Sequence, residues 1–65
     1  MKYKYFVSYT ARQGNVKVED DTNVVTNNNL MDFNENPKGI TEIKEQLKKQ
    51  FNYHSVAIVN FIPLS

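Results

Sequence analysis

Polar and apolar residues alternate over residues 2–11, with Tyr3, Tyr5, Val7 and Tyr9 on one side and Lys4, Phe6, Ser8 and Thr10 on the other. This is the two-residue period of a β-strand, and the aromatic and β-branched content supports it. Arg12-Gln13-Gly14-Asn15 supplies a turn signal, and alternation resumes at Val16-Lys17-Val18-Glu19, so the pattern predicts a hairpin. The second strand continues through Asp20-Asp21-Thr22-Asn23 into Val24-Val25-Thr26, and its run of acids predicts a bulge, a kink or an exposed edge. Residues 27–36 carry no period and are rich in asparagine, which predicts a long loop that Leu30, Met31 and Phe33 anchor to the core or to a partner.

A helix follows over residues 37–51. Asn36 can cap it, and Pro37 is tolerated in a first turn whose N–H groups lack partners. Ile40, Ile43, Leu47 and Phe51 recur at helical spacing on one face. Glu42 and Glu45 lie toward the positive end of the dipole, Lys48 and Lys49 toward the negative end, and Glu45 with Lys49 makes an i,i+4 pair in the favourable order. Asn52-Tyr53 ends the helix. Residues 55–62 then read as a strand closed by Pro63, with Val56, Ile58, Asn60 and Ile62 expected on one face and Ala57, Val59 and Phe61 on the other.

The element order β-β-α-β predicts an α+β fold, a single domain over residues 1–65. A right-handed crossover through the helix places the last strand parallel to the second and on the far side of the first. The expected architecture is a three-stranded antiparallel or mixed sheet of order 2-1-3 with the helix packed on one face.

One four-turn helix covers one face of such a sheet, yet the first and last strands are apolar on both sides. The face with small Ser8 and Ala57, together with Phe6, Val59 and Phe61, is expected beneath the helix, because small residues permit close approach. The opposite face would then expose Tyr3, Tyr5, Tyr9 and the candidate oligomer-interface residues Val7, Val56, Ile58 and Ile62. The reverse assignment leaves Phe6, Val59 and Phe61 uncovered. Either way a patch of that size marks an interface or binding site. Face-to-face packing is favoured over edge pairing, since Pro63 blunts one edge and Lys17 with Glu19 guards the other.

Composition sharpens this need for a cover. A 65-residue chain supports one small core, and the absence of cysteine removes disulfides and the usual zinc ligands, which leaves association with a second copy as the supplement. Lack of cysteine also fits a reducing cytoplasm, and no apolar run has signal-peptide or membrane-spanning length. A net charge of +1 gives no global attraction for nucleic acid or an anionic membrane.

Candidate chemistry is sparse. His54 has no serine, cysteine or carboxylate at a recognisable catalytic spacing and reads as a surface or interface residue. The Glu19-Asp20-Asp21 run lacks the alternating spacing and glycine of a calcium loop and reads as solvated. No catalytic residue, metal site or cofactor is expected. Tyr3, Tyr5 and Tyr9 are ordinary strand formers that also suit stacking on a nucleobase or packing on a protein. With Arg12 and Asn60 they form the candidate ligand or partner set. Lys2, Lys4, Arg12 and Lys17 gather near the hairpin and could attract phosphate, and aromatics interleaved with them resemble a single-strand-binding surface, although the near-zero net charge opposes that reading.

Three stretches, Tyr5-Phe6-Val7-Ser8-Tyr9, Ile40-Thr41-Glu42-Ile43-Lys44-Glu45 and Val56-Ala57-Ile58-Val59-Asn60-Phe61-Ile62-Pro63-Leu64, resemble a group of short uncharacterised phage and prophage proteins of low-GC Gram-positive bacteria. The resemblance covers about half the chain, includes no catalytic motif and carries over no functional residue. It implies a context in which small phage proteins act by binding. The expectation is a non-enzymatic, homo-oligomeric binding protein of the host cytoplasm that blocks or sequesters a host factor, as an anti-defence inhibitor would. In its first form the tyrosine face or the asparagine loop grips a host protein. The alternatives are a sponge holding a nucleotide-like signal between subunits and a small nucleic-acid-binding protein.

Overall fold

Gly14 and Asn15 alone make the turn between two strands of equal length, and Gly14 takes the positive φ (63°) that such tight turns require. In the computed structural model, which describes residues 2–64, β1 (Tyr3–Gln13) and β2 (Val16–Thr26) pair antiparallel in unbroken register from Gln13 opposite Val16 to Tyr3 opposite Thr26. The acids of β2 therefore sit on an exposed, regular edge strand, without the bulge or kink that was the other possibility. A helix, α1 (Asn36–Phe51), and a last strand, β3 (Ser55–Pro63), complete the β-β-α-β order. The fold is α+β: a three-stranded antiparallel sheet of order β2-β1-β3, with β3 antiparallel to β1 and so parallel to β2.

The helix covers the tyrosine face, the reverse of the favoured assignment. Tyr5, Val7, Tyr9 and Ala11 of β1, Val24 of β2 and Val56 of β3 are buried with Ile43 and Leu47 of the helix and Leu30 of the loop. Val7 and Val56, expected in an exposed oligomer interface, thus belong to the core, and Ile58 is partly buried against it. Volume explains the reversal. Tyrosines fill the space under a single helix, and their hydroxyls find partners there, so burial leaves no side-chain polar atom unpaired among the described residues.

β3 supplies the second correction. Its pairing with β1 shifts between Ser8 and Tyr9: Ile58 lies opposite Tyr9, Asn60 opposite Ser8, and Val59 is the extra residue of a β-bulge. Strict alternation had grouped Val56, Ile58, Asn60 and Ile62. The bulge changes the phase, so Phe61 turns inward opposite Val7 and meets Tyr5 edge-to-face at 5.9 Å. Asn60 and Ile62 turn to the open face with Val59 and Phe6, whose side is left uncovered.

The helix begins one residue earlier than its pattern suggested. Glu35 occupies the cap position without a side-chain hydrogen bond, and Asn36 is already helical, its amide diverted to the loop. Asn52 ends the helix in the left-handed conformation (φ 59°) that asparagine tolerates. Phe51 is only partly covered and packs on Tyr53 rather than in the core. Among the described residues the ion pair that forms is Lys17–Glu19 at 3.8 Å, not Glu45–Lys49. Among the described residues no helix is long and apolar enough to cross a membrane.

Candidate functional site

Residues 27–35 join the open end of the hairpin to the helix, and the reason this aperiodic stretch holds one shape is its asparagines. Leu30 is buried to 2% exposure beneath the helix, where Gly39 leaves no Cβ to collide with it. The Tyr5 hydroxyl donates to Asn29 Oδ1 (3.1 Å) and accepts from the Leu30 N–H (2.9 Å). Asn29 Oδ1 also accepts from the Met31 N–H (2.9 Å), and Asn36 Nδ2 donates to the Leu30 carbonyl (2.6 Å). Buried Thr26 donates to the Asn28 carbonyl at 2.7 Å.

Glu42, projecting from the helix, secures the first part of the loop. Its carboxylate accepts from the Asn27 N–H (2.9 and 3.0 Å), Asn27 Nδ2 (3.2 Å) and Asn28 Nδ2 (3.1 Å). Asp32 accepts from the Asn34 N–H at 2.8 Å and makes an Asx turn at the tip. Of the three apolar anchors expected here, Leu30 alone enters the core. Met31 is 64% and Phe33 91% exposed, with Asp32 and Glu35 close to Phe33 in the chain and Pro37 lining the same shallow hollow.

The sequence-derived ligand set does not assemble. Tyr5 and Tyr9 are core residues at 2% exposure and Tyr3 is half-buried at the rim, whereas Arg12 and Asn60 lie exposed on the opposite side of the sheet. Tyr9 shares a hydrogen bond with Tyr53 (3.1 Å between hydroxyls), and burial, reinforced by that bond, pushes its phenol well above the ordinary value of 10. Neither ring offers a face to a ligand. Of the interface candidates, Ile62 remains available at 51% exposure, on the open face with Val25 (43%) and Val59 (66%).

The open face is mixed rather than uniformly apolar. Val25, Phe6 and Ile62 cluster toward the loop end, Asp21, Ser8 and Asn60 cross the middle, and Lys17 with Arg12 and Ser55 closes the hairpin end. His54 is exposed at the start of β3, held by its main-chain N–H to the Arg12 carbonyl. Among the described residues no three histidine or acidic side chains converge as metal ligands would.

The feature that sequence reasoning missed is the separation of Leu30 from Phe33. The signal was present in Asn29 and Asp32, asparagine and aspartate being residues that bond to main chain one or two positions on. Two such turns in succession aim neighbouring apolar residues in opposite directions. No family model, curated protein or solved structure matches the chain.

Proposed function

We propose that this chain is a small non-enzymatic binding protein of the phage type, which blocks a host protein by gripping it with the tip of the 27–35 loop. The observation that carries this reading is Phe33, 91% exposed on a segment pinned to the core through Tyr5, Leu30 and Glu42. An aromatic ring held in water by a hydrogen-bonded loop gains nothing within its own molecule. As an anchor for a partner it loses little further freedom on binding, and buried aromatic anchors dominate interface energies. Asp32 and Glu35, close to it in the chain, favour an apolar pocket rimmed by lysine or arginine.

The nucleotide-sponge and nucleic-acid readings lose the support they drew from the tyrosines, since Tyr5 and Tyr9 are committed to the core. The test compares wild type with Phe33→Ser as bait in a lysate of a low-GC Gram-positive host. A single protein should be retained by wild type, identified by mass spectrometry, and rebound in purified form with an affinity that falls about 100-fold or more in the variant. Equal retention by both baits, with the variant's melting temperature unchanged, would refute the reading. A thermal shift of wild type by a nucleotide would revive the sponge instead.

A further inference from the structure

The sheet has two outer edges, and they are treated differently. Main-chain groups along a strand point alternately to its two neighbours. The Lys4 and Arg12 carbonyls accept from Leu64 and His54, the residues that flank β3, so even-numbered residues of β1 face β3 and odd-numbered ones face β2. Through the register, Lys17, Glu19, Asp21, Asn23 and Val25 turn their amides and carbonyls outward on β2, and Val56, Ile58 and Phe61 do so on β3.

The β2 edge is partly occupied by the protein's own side chains. Gln46 Nε2 donates to the Val25 carbonyl (2.7 Å), Asp20 Oδ1 accepts from the Asp21 N–H (2.8 Å), and Glu42 takes the Asn27 N–H just beyond the strand. Glu19, Asp20 and Asp21 add a run of like charge along it. On β3, by contrast, the outward groups of Val56, Ile58 and Phe61 meet no side-chain partner among the described residues, and no residue of this strand is charged. A hollow runs along this edge, lined by Ile40 and Lys44 of the helix and by Ala57, Ile58, Val59 and Phe61.

We propose that the β3 edge is the seam of a two-fold dimer, in which residues 56–58 pair antiparallel with the same stretch of a second copy of this chain. A second copy fits because the strand, being uncharged, meets itself without repulsion, whereas two β2 edges would bring six carboxylates together. Pairing β3 with the β2 of another molecule would build an open chain, and the Gln46 amide on the Val25 carbonyl and the Asp20 carboxylate on the Asp21 N–H stand in its way, so a two-fold is the arrangement that terminates. The outward groups fix the register. Val56 faces the partner's Ile58, Ile58 faces the partner's Val56, and Ala57 lies opposite the partner's Ala57 on the axis, where its small side chain permits close approach. The bulge at Val59 and the missing N–H of Pro63 fall beyond the paired stretch and do not obstruct it. This seam lies toward the hairpin end, away from the loop tip, and stands independently of the loop's binding role.

The test uses the full chain, which contains no cysteine. Ala57→Cys is exposed and sits on the axis, so mild oxidation should yield a cross-linked species of twice 7.6 kDa, about tenfold faster than Lys17→Cys on the β2 edge. In sedimentation equilibrium wild type should dimerise, Ala57→Lys and Ala57→Glu should each weaken association about tenfold or more, and their equimolar mixture should restore it. A wild type that stays monomeric up to about 500 µM, equal cross-linking at both cysteines, or charged variants that dimerise like wild type would each overturn the seam. A monomer that still binds a partner through Phe33 would overturn the seam alone.

Discussion

β1 shows two faces to two different environments. Its odd-numbered residues Tyr5, Val7, Tyr9 and Ala11 are buried under the helix, while Phe6, Ser8 and Thr10 on the other side remain half-exposed. Both faces hold aromatic residues, so hydrophobicity alone does not choose between them. What chooses is whether the polar atoms carried inward can be paired. Tyr5 and Tyr9 reach the loop and Tyr53 through their hydroxyls, and they bring large ring volume that one helix can cover. The lesson is that tyrosine's polar end, which suggested a ligand site, is the means by which the core is tied to the loop and to the start of β3.

That contrast can be broken most severely at Leu47, fully buried against the tyrosine face. Leu47→Ala should cost about 2–5 kcal/mol in denaturant unfolding, through lost burial and the cavity left behind. Next comes the polar tie. Tyr5→Phe leaves the Leu30 N–H without its acceptor inside the core and should cost about 1–3 kcal/mol, with faster amide exchange at Leu30. The third effect is pH-dependent. The Tyr9 phenol is raised in the folded protein above its unfolded value of 10, so the stability it contributes is complete below pH 10 and is lost as pH climbs above it. Unfolding free energy should decline above about pH 10 in wild type and decline less steeply in Tyr9→Phe. The smallest effect belongs to the open face. Ile62→Ala in dilute monomer should shift stability by no more than about 0.5 kcal/mol, and a loss as large as that at Leu47 would show that this face is covered after all.

Element order, strand order and the single crossover were legible because each rests on a local period or turn: the 3–9 alternation, Gly14-Asn15, the Ile40-Ile43-Leu47 stripe. The choice of face was not. Alternation assigns residues to two sides without saying which is inward, and β3 is apolar on both. The bulge at Val59 was also hidden, since the inserted residue is as apolar as those around it, and strict alternation therefore puts Asn60 and Ile62 on the side of Val56 and Ile58 and Phe61 on the other, the reverse of their places in the fold. In the loop, Leu30, Met31 and Phe33 look equivalent by hydropathy. They are separated by side-chain-to-main-chain bonds from Asn29 and Asp32, which depend on backbone conformation rather than period. The candidate ligand set failed for the same reason as the face, because three of its members were tyrosines whose direction no pattern fixes.

The bulge at Val59 has a further consequence for how far the sheet can grow. Deleting Val59 would leave Ile58 opposite Tyr9, Asn60 opposite Ser8 and Phe61 opposite Val7, so every side chain would keep its side and the core would be untouched. What changes is the straight run along the outer edge, which would extend unbroken toward Pro63. Val59 is spare to the fold; its place in the chain sets the length of the template that β3 offers to another strand.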